Sequence, residues 1–259
     1  SLDTLGSHST ALGHGTLQNQ NFTTATSAYN TAVGSQAGAA VTTGKENTIV
    51  GGLAGDALTV GGNNAVLGYF ALGTDTKGSL SVAIGPSALE SQNFTTATNT
   101  YNTAVGAAAG AAVTTGTSNT LIGGLAGDAL TDADLNTAVG YQALSSDTLG
   151  SRSTAMGQGS LFSQNFTTAT DTYNTAYGFH SGLSITTGFQ NVLLGGLAGD
   201  ALTDADYNVA IGTGALGSDT LGSRSVAIGN GSLTAQNFTT ATDAYNVAVG
   251  FNAGVSVTT

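Results

Sequence analysis

The chain has no cysteine and no tryptophan, and its 259 residues include a single proline, Pro86. Without cysteine it can form no disulfide framework, no thiolate metal site and no cysteine nucleophile. Charged residues make up only 7%, and 4 basic against 15 acidic residues give a formal net charge of −11. The chain therefore lacks the basic footprint by which proteins bind nucleic acid or anionic lipid, and we expect no nucleic-acid partner.

Long apolar runs are also missing. No stretch approaches the roughly 18 to 20 apolar residues that cross a bilayer, and residues 1–30 lack a basic start followed by an apolar block. We therefore expect no membrane insertion in this segment. The 40% hydrophobic content, arranged with a strict internal period, nevertheless predicts an ordered chain.

What the chain has in abundance is a five-residue motif: Asn or Ser, a small residue, two apolar residues and Gly, as in Asn30-Thr31-Ala32-Val33-Gly34. Successive motif glycines bound the coils of the repeat. One 21-residue coil is followed by three 17-residue coils, and these four coils form a unit of 72 residues. Internal repeats decide the fold class before length does. We predict one continuous repeat array over residues 1–259, cut from a longer fibre because both ends fall inside a unit. The motif glycines are residues 13, 34, 51, 68, 85, 106, 123, 140, 157, 178, 195, 212, 229 and 250.

The apolar segments are too short for helices, are rich in Thr and Val, and are interrupted by Gly, which costs about 1 kcal/mol inside a helix. They predict an all-β, parallel β-roll or β-solenoid of about fourteen coils. Because side chains alternate across a strand, the third motif position, mostly Ala, should face a narrow interior together with Ala37 and Ala54. The closing Gly supplies a turn, and the leading Asn should adopt a left-handed turn conformation and stack its amide on the next coil.

The fourth motif position then lies on the outside and forms an outer row of Val, Ile and Leu. A strand that is apolar on both faces should be covered on both sides, and such rows on soluble proteins usually mark interfaces. We expect self-association with closed rotational symmetry. The interface candidates in this outer row are Val33, Val50, Leu67, Ile84, Val105, Ile122, Val139, Ile211, Ile228 and Val249.

Ser81-Val82-Ala83-Ile84-Gly85, its counterpart at 225–229 and the Asn-Thr-Ala-Val-Gly copies resemble the YadA-like head repeats of trimeric autotransporter adhesins. The resemblance covers essentially the whole chain. It implies a left-handed parallel β-roll, three chains side by side with the motif strand toward the trimer interior, and a cell-surface location where the head binds host matrix or cells. The segment 136–144 is also similar to repeats of bacteriophage tail fibres. Head repeats of the family are usually shorter than the 17-residue coils of this chain, so the 21-residue coil implies a regular bulge or loop.

The sequence gives little support for catalytic residues. His8, His14 and His180 do not recur at equivalent places in the 72-residue unit, and no His and carboxylate pair is spaced to activate a nucleophile. We expect no enzyme and no catalytic residue. The glycine-rich segment 51–55 lacks the Lys and the helix of a phosphate loop, so we interpret it as close packing of coils.

Calcium is the one cofactor that the sequence suggests; otherwise we expect none. Two segments place carboxylate and amide oxygens at alternate positions, as the start of a calcium loop does, but the later Gly and Glu are missing. Polar turns at a strand end are the alternative interpretation. The metal-ligand candidates are Asp132, Asp134, Asn136, Asp204, Asp206 and Asn208.

The Phe-Thr-Thr-Ala-Thr insertion of the 21-residue coil is the candidate ligand surface, because it repeats in every 72-residue unit. The alternative, which we favour, is that its Phe and the following Tyr29, Tyr101, Tyr173 and Tyr245 dock on the roll. Repeated weak contacts would raise avidity in an adhesive fibre. The ligand-surface candidates are Phe22, Thr23, Thr24, Phe94, Phe166 and Phe238.

These observations predict a structural, adhesive fibre head outside the cell that attaches to a host-cell, matrix or receptor surface. Two alternatives stay open. One is a bacteriophage tail or receptor-binding fibre on a virion, and the other is a monomeric solenoid that assembles end to end into a filament.

Overall fold

The computed structural model describes residues 3–259, in which all regular structure is β and no helix occurs. The chain folds as a parallel β-solenoid of about fourteen turns, which confirms the predicted fold class. Within the described residues there is accordingly no helix with the length and apolarity that crossing a bilayer requires.

The solenoid forms two compact units, one up to Asp132 and the other from Ala133. In the part of the chain that the structure describes, each unit contains seven strands of three residues and four strands of two residues. The strands of the first unit are β1 (Gly6–Ser7), β2 (Thr10–Leu12), β3 (Thr26–Ser27), β4 (Thr31–Val33), β5 (Thr48–Val50), β6 (Ala65–Leu67), β7 (Gly78–Ser79), β8 (Val82–Ile84), β9 (Thr98–Asn99), β10 (Thr103–Val105) and β11 (Thr120–Ile122). Those of the second unit are β12 (Thr137–Val139), β13 (Gly150–Ser151), β14 (Thr154–Met156), β15 (Thr170–Asp171), β16 (Thr175–Tyr177), β17 (Val192–Leu194), β18 (Val209–Ile211), β19 (Gly222–Ser223), β20 (Val226–Ile228), β21 (Thr242–Asp243) and β22 (Val247–Val249).

The three-residue strands are the motif strands, and they pair in parallel with each motif position on its counterpart. In the first unit Thr31 pairs with Thr48, Ala32 with Ile49, and Val33 with Val50. The two-residue strands form separate pairs: β1 with β3, β7 with β9, β13 with β15, and β19 with β21. The later strand of each pair lies in a 21-residue coil, so these short ladders are where the structure accommodates the four-residue insertion.

The alternation of side chains across the motif strand is as predicted. Ala32 and Ile49 at the third position are fully buried, and so is Ala37 from the second segment of the coil. Val33 and Val50 at the fourth position point outward and are half-buried. The interior is therefore filled by small third-position side chains and by leucines from the turns between motifs.

Two features of the structure require glycine at the end of the motif: a positive φ and the close approach of the next coil. Gly34 has a φ of +133°, in the positive range that side chains disfavour. A Cβ atom built on Gly34 would lie 2.5 Å from the carbonyl oxygen of Gly51 in the next coil. The coils can stack at this edge only if the residue has no side chain.

The leading Asn of the motif behaves as predicted in one respect and not in the other. The backbone N–H of Asn47 donates to Asn30 Oδ1 at 3.0 Å, and Asn47 Nδ2 donates to the same oxygen at 3.3 Å and to the carbonyl of Gly61 at 3.0 Å. This confirms the amide ladder. The left-handed conformation, however, belongs to the preceding residue, Tyr29 (φ 52°) or Glu46 (φ 60°), because the Asn must point its amide inward.

Candidate functional site

Beneath each insertion lies a buried polar network that the sequence analysis missed. Asp75 is fully buried, and its Oδ1 accepts the backbone N–H of Gly78 at 3.0 Å and of Phe94 at 3.2 Å. Its Oδ2 accepts Gln92 Nε2 at 2.6 Å, and Gln92 Oε1 accepts Asn102 Nδ2 at 2.9 Å. Asp75 and Gln92 are separated by one 17-residue coil, and this spacing is the signal that could have revealed the pair.

The same network recurs at the other insertions. Gln164 Nε2 donates to Asp147 Oδ2 at 2.5 Å, and Gln236 Nε2 donates to Asp219 Oδ2 at 2.5 Å. At Asp3, burial alone would raise the pKa, but hydrogen bonds from the Gln20 side chain and from nearby backbone N–H groups outweigh it and lower the pKa. The insertion is thus fastened to the solenoid by a hydrogen-bonded carboxylate.

The phenylalanines of the insertion lie inside rather than on a ligand surface. Phe22 is 5% exposed, and Phe94 and Phe166 are each 7% exposed, while Phe238 is half-buried. Their assignment to a ligand surface was wrong, because the backbone N–H of the Phe is held by the buried carboxylate, as at Asp75, and the ring follows it inward. The favoured docked alternative is correct for the phenylalanines.

The exposed groups of the insertion are threonines and tyrosines. Thr23 and Thr24 remain on the surface as predicted. Tyr29 is 55% exposed and Tyr173 51% exposed, and Tyr101 and Tyr245 are exposed as well. The expectation that these tyrosines dock on the roll was therefore wrong. They occupy the positive-φ position before the motif, which turns the side chain outward.

Two tyrosines of the second unit belong to clusters in which the same three residue types recur at equivalent places of successive 72-residue repeats. Arg152 Nε lies 3.0 Å from Asp171 Oδ1, and the hydroxyl of Tyr173 donates to Asp171 Oδ2 at 3.4 Å. The guanidinium carbon of Arg152 is 5.9 Å from the centre of the Tyr173 ring. We call these the Arg–Asp–Tyr clusters: the first comprises Arg152, Asp171 and Tyr173, and the second comprises Arg224, Asp243 and Tyr245.

The second cluster has the same ion pair and the same tyrosine hydrogen bond, but its guanidinium lies over a different ring. Arg224 Nε lies 3.0 Å from Asp243 Oδ1, and Tyr245 donates to Asp243 Oδ2 at 3.2 Å. The hydrogen bond to Asp243 raises the pKa of Arg224. Here the guanidinium lies over the ring of Tyr207, 4.6 Å from its centre. The ladder explains the pairing, because Asp243 stands on β21 beside Ser223, the residue before Arg224.

The metal-ligand candidates do not converge on one site in the second unit. Asp204 Oδ1 accepts the hydroxyl of Thr187 at 2.6 Å, and Asp206 Oδ1 accepts the backbone N–H of Phe189 at 2.9 Å. Asn208 is fully buried and uses its amide in the ladder.

Asn136 is likewise buried in the ladder, where its Nδ2 donates to the carbonyl of Gly150. Asn136 and Asn208 were therefore wrongly chosen as ligands, because their oxygens point into the solenoid. Asp132 in the first unit accepts the hydroxyl of Thr115 at 2.6 Å, and in the second unit the backbone N–H of Asp134 donates to Ser151 Oγ at 3.0 Å. Within residues 3–259 no three His, Cys, Asp or Glu side chains group in a way that could hold a metal ion.

Two histidines lie against aromatic rings. His8 stacks on Tyr29 with ring centres 5.1 Å apart, and His180 stacks on Phe179 at 3.8 Å. Burial raises the pKa of Asp200, and the charge of His180 partly opposes that rise. These contacts assign the histidines to ring packing on the surface.

A different carboxylate, Asp56, carries an unpaired atom. Its Oδ1 is buried and has no hydrogen-bond partner among the residues that the structure describes. Burial raises the pKa of Asp56, although hydrogen bonds from its own backbone N–H and that of Ala57 act in the opposite direction.

The outer row of fourth-position residues is the main apolar surface of each unit. Leu67 is 49% exposed and Ile122 39% exposed in the first unit, and Leu194 is 44% and Val249 67% exposed in the second. The second motif position, Thr, Val or Ala, lies on the same face of the sheet.

Comparison of the chain with protein-family models, with curated proteins and with solved structures finds no match.

Proposed function

We propose that the chain is a structural, non-enzymatic segment of an extracellular adhesive fibre, in which three copies pack side by side through their outer rows. The observation that carries the proposal is the exposed outer row on a parallel sheet. Parallel sheets are normally covered on both faces, and a contiguous apolar row on the surface marks an interaction site.

The charge of the chain favours a second copy of itself as the occupant of the motif face. The chain carries a formal charge of −11, so copies of it repel one another at most surfaces. The second and fourth motif positions, however, contain no charged residue in any of the fourteen motifs. The motif face is thus the surface on which an acidic chain can approach its own copies, and closed rotational symmetry covers the row in every copy.

Mass in solution tests the assembly. We expect light scattering to give three times the chain mass of 25.3 kDa. Val139→Asp should convert the trimer to monomer, because it places an unpaired charge in a buried apolar interface. Thr168→Asp is the control, since it adds the same charge on an exposed residue of the insertion.

Circular dichroism should show both variants folded. A folded Val139→Asp variant that keeps the trimer mass would refute the packing through the outer row. A mass that grows with concentration while filaments appear would favour the monomeric solenoid that assembles end to end.

Binding rather than catalysis is proposed because the buried polar side chains, such as Asp75 and Gln92, hold coils together by hydrogen bonds. The exposed groups recur along the fibre, which suits multivalent attachment to a host-cell, matrix or receptor surface. Adhesion of fluorescent beads coated with the chain to cells or to matrix-coated plates tests this attachment. Beads coated with an unrelated acidic protein are the control.

The flanking sequence separates two forms of the proposal. A coiled coil and a membrane anchor would place the fibre on a bacterial surface, whereas a virion-attachment segment would make it a bacteriophage tail or receptor-binding fibre.

A further inference from the structure

The two Arg–Asp–Tyr clusters contain polar groups that the fold leaves unused. Among the described residues, the Arg152 guanidinium has no hydrogen-bond partner other than Asp171, and the Arg152 side chain is 44% exposed. Guanidinium has five N–H donors, and a carboxylate can accept about four hydrogen bonds. The Asp171 side chain is 51% exposed, and within the part of the chain that the structure describes it accepts only from Arg152 and Tyr173. Each cluster therefore presents free donors and free acceptors next to an exposed aromatic ring.

Stability of the fold does not account for these ion pairs. Exposed ion pairs contribute about 0.2–1 kcal/mol. The first unit offers an internal comparison, because Leu80 and Asn99 occupy the places of Arg152 and Asp171. The backbone is the same without the ion pair, since φ is 64° at both Leu80 and Arg152. The coil thus adopts the same backbone conformation with or without the cluster.

We propose that the Arg–Asp–Tyr clusters are binding sites for a neutral glycan, with neighbouring sugar hydroxyls on the Arg and Asp and the apolar face of the sugar against the Tyr. A pair of vicinal hydroxyls offers both acceptors for the guanidinium and donors for the carboxylate. Tyrosine combines a rigid apolar ring with a polar tip, which suits a ligand that is apolar on one face and polar at its edge. This inference rests on the proposed attachment function and names the chemical class of its ligand.

A neutral ligand is favoured by the charges around the clusters. Each Arg is already paired with an Asp, and on the preceding coil Asp206 interacts electrostatically with Arg224 and with a further carboxylate, Asp204. The backbone N–H of Arg224 donates to the carbonyl of Asp206 at 2.9 Å, which places that carboxylate on the neighbouring coil. A sugar with its own negative charge would meet these acidic surroundings at a cost.

The spacing of the clusters suits a polymer. One 72-residue repeat separates them, which is four coils, or about 19 Å at the spacing of parallel strands. A chain of several sugars can reach both, and two linked weak sites raise avidity by orders of magnitude over either one.

Binding to a defined panel tests the proposal. The probes are immobilised oligosaccharides of mannose, galactose, glucose and N-acetylglucosamine, with the acidic polysaccharide hyaluronan as the charged comparison. We expect the full chain to bind at least one neutral probe. The double variant Arg152→Ala with Arg224→Ala should weaken that binding about tenfold or more.

Two matched controls make the result specific. Lys45→Ala with Lys77→Ala removes the two other cations of the chain and should leave binding unchanged. Tyr173→Ala with Tyr245→Ala should weaken binding, whereas Tyr29→Ala with Tyr101→Ala, at the equivalent places of the first unit, should not. All of these side chains are exposed except that of Lys77, which is half-buried, so the melting midpoints should stay nearly the same.

A gain of function completes the test. Leu80→Arg with Asn99→Asp should build a third cluster beside Tyr101 and increase binding of the same neutral probe. Absence of binding to every neutral probe, preference for hyaluronan, or equal losses in the lysine control would overturn the proposal. A trimer that coats beads and adheres to cells, but with unchanged adhesion in the arginine variant, would reject the glycan sites and keep the proposed function.

Discussion

Removing the charge of the buried carboxylate at Asp75 should destabilise the insertion, because the hydrogen bonds around Asp75 cannot all be kept. In Asp75→Asn one oxygen is kept for the N–H groups of Gly78 and Phe94, but an NH₂ group then faces Gln92 Nε2, which lies 2.6 Å away. If the Gln92 amide flips to accept from it, Asn102 Nδ2 loses its acceptor. Either way a buried donor is unsatisfied and a charge-assisted bond is lost, so we expect a loss of about 3 kcal/mol.

Exchanging the two groups should restore most of that loss. In the double variant Asp75→Asn with Gln92→Glu, the new amide donates to one oxygen of the new carboxylate. The other carboxylate oxygen accepts Asn102 Nδ2, and the single buried charge is kept. Gln92→Glu alone places two carboxylates at hydrogen-bond distance and should be the least stable of the set. Because each single variant loses at least about 3 kcal/mol and the double variant only a small part of that, the double-mutant cycle should give a coupling energy well above about 3 kcal/mol between positions 75 and 92.

Local hydrogen exchange is the suitable assay, because a solenoid can open in parts and a single unfolding free energy would not report on one coil. The amide protons of Gly78 and Phe94 should exchange faster in each single variant and return toward their original rates in the double variant. A double variant that opens as easily as the singles would refute the hydrogen-bond account. So would a change of less than about 0.5 kcal/mol in Asp75→Asn.

Three further predictions concern single positions, and melting midpoints check them. Gly51→Ala should lower the stability of the fold by about 3 kcal/mol, because the new Cβ would collide with the carbonyl of Gly68. The neighbouring Gly52→Ala is the control: its Cβ would make only an ordinary contact with the Tyr69 ring, so the stability should stay within about 0.5 kcal/mol. Gln190→Gly should stabilise by about 1 kcal/mol, since Gln190 is exposed and strained at a φ of 55°; a lower midpoint would contradict this. Asp56→Asn should stabilise the fold at pH 7, because the raised pKa of Asp56 means that burial penalises the ionised carboxylate. The gain in stability should vanish as the pH falls below 3.8, where Asp56 is protonated in both the folded and the unfolded chain. A gain that does not depend on pH would contradict this account of Asp56.

The repeat period and the side-chain alternation were sufficient to predict the solenoid. Glycine at one place in every coil requires a tight edge, as Gly34 shows, and the Ala and Val of the motif sort to the inside and the outside of a strand. The positive-φ position before the motif could not be predicted, because it is filled by Tyr29, Glu46 and other unrelated residue types. Its conformation is imposed by the stacking of coils and leaves no signal in composition.

The candidate sites were harder to predict because burial depends on what each loop covers. Phe22 and Tyr29 both belong to the insertion region and both read as apolar aromatics, yet the ring of Phe22 is inside and that of Tyr29 is outside. Asp75 and Gln92 looked like ordinary turn residues in a single repeat, and only superposing coils at the 17-residue period shows that they face each other. The trimer buries the outer row only when two further copies of the chain are present, and it stays a prediction.

Comparison of the repeated coils shows at which positions packing fixes the residue type and at which positions the residue type can vary. Beneath the four insertions the interior side chains are the same, with Asp, Gln and Phe at each. The positive-φ position above them changes from His8 to Leu80 and then to Arg152 and Arg224, although φ stays between 63° and 64°. Because the backbone there imposes no side chain, residues at this position can be exchanged without refolding the coil. Along such a fibre, ligand specificity can be altered one coil at a time, and the two units should accordingly differ in what they bind.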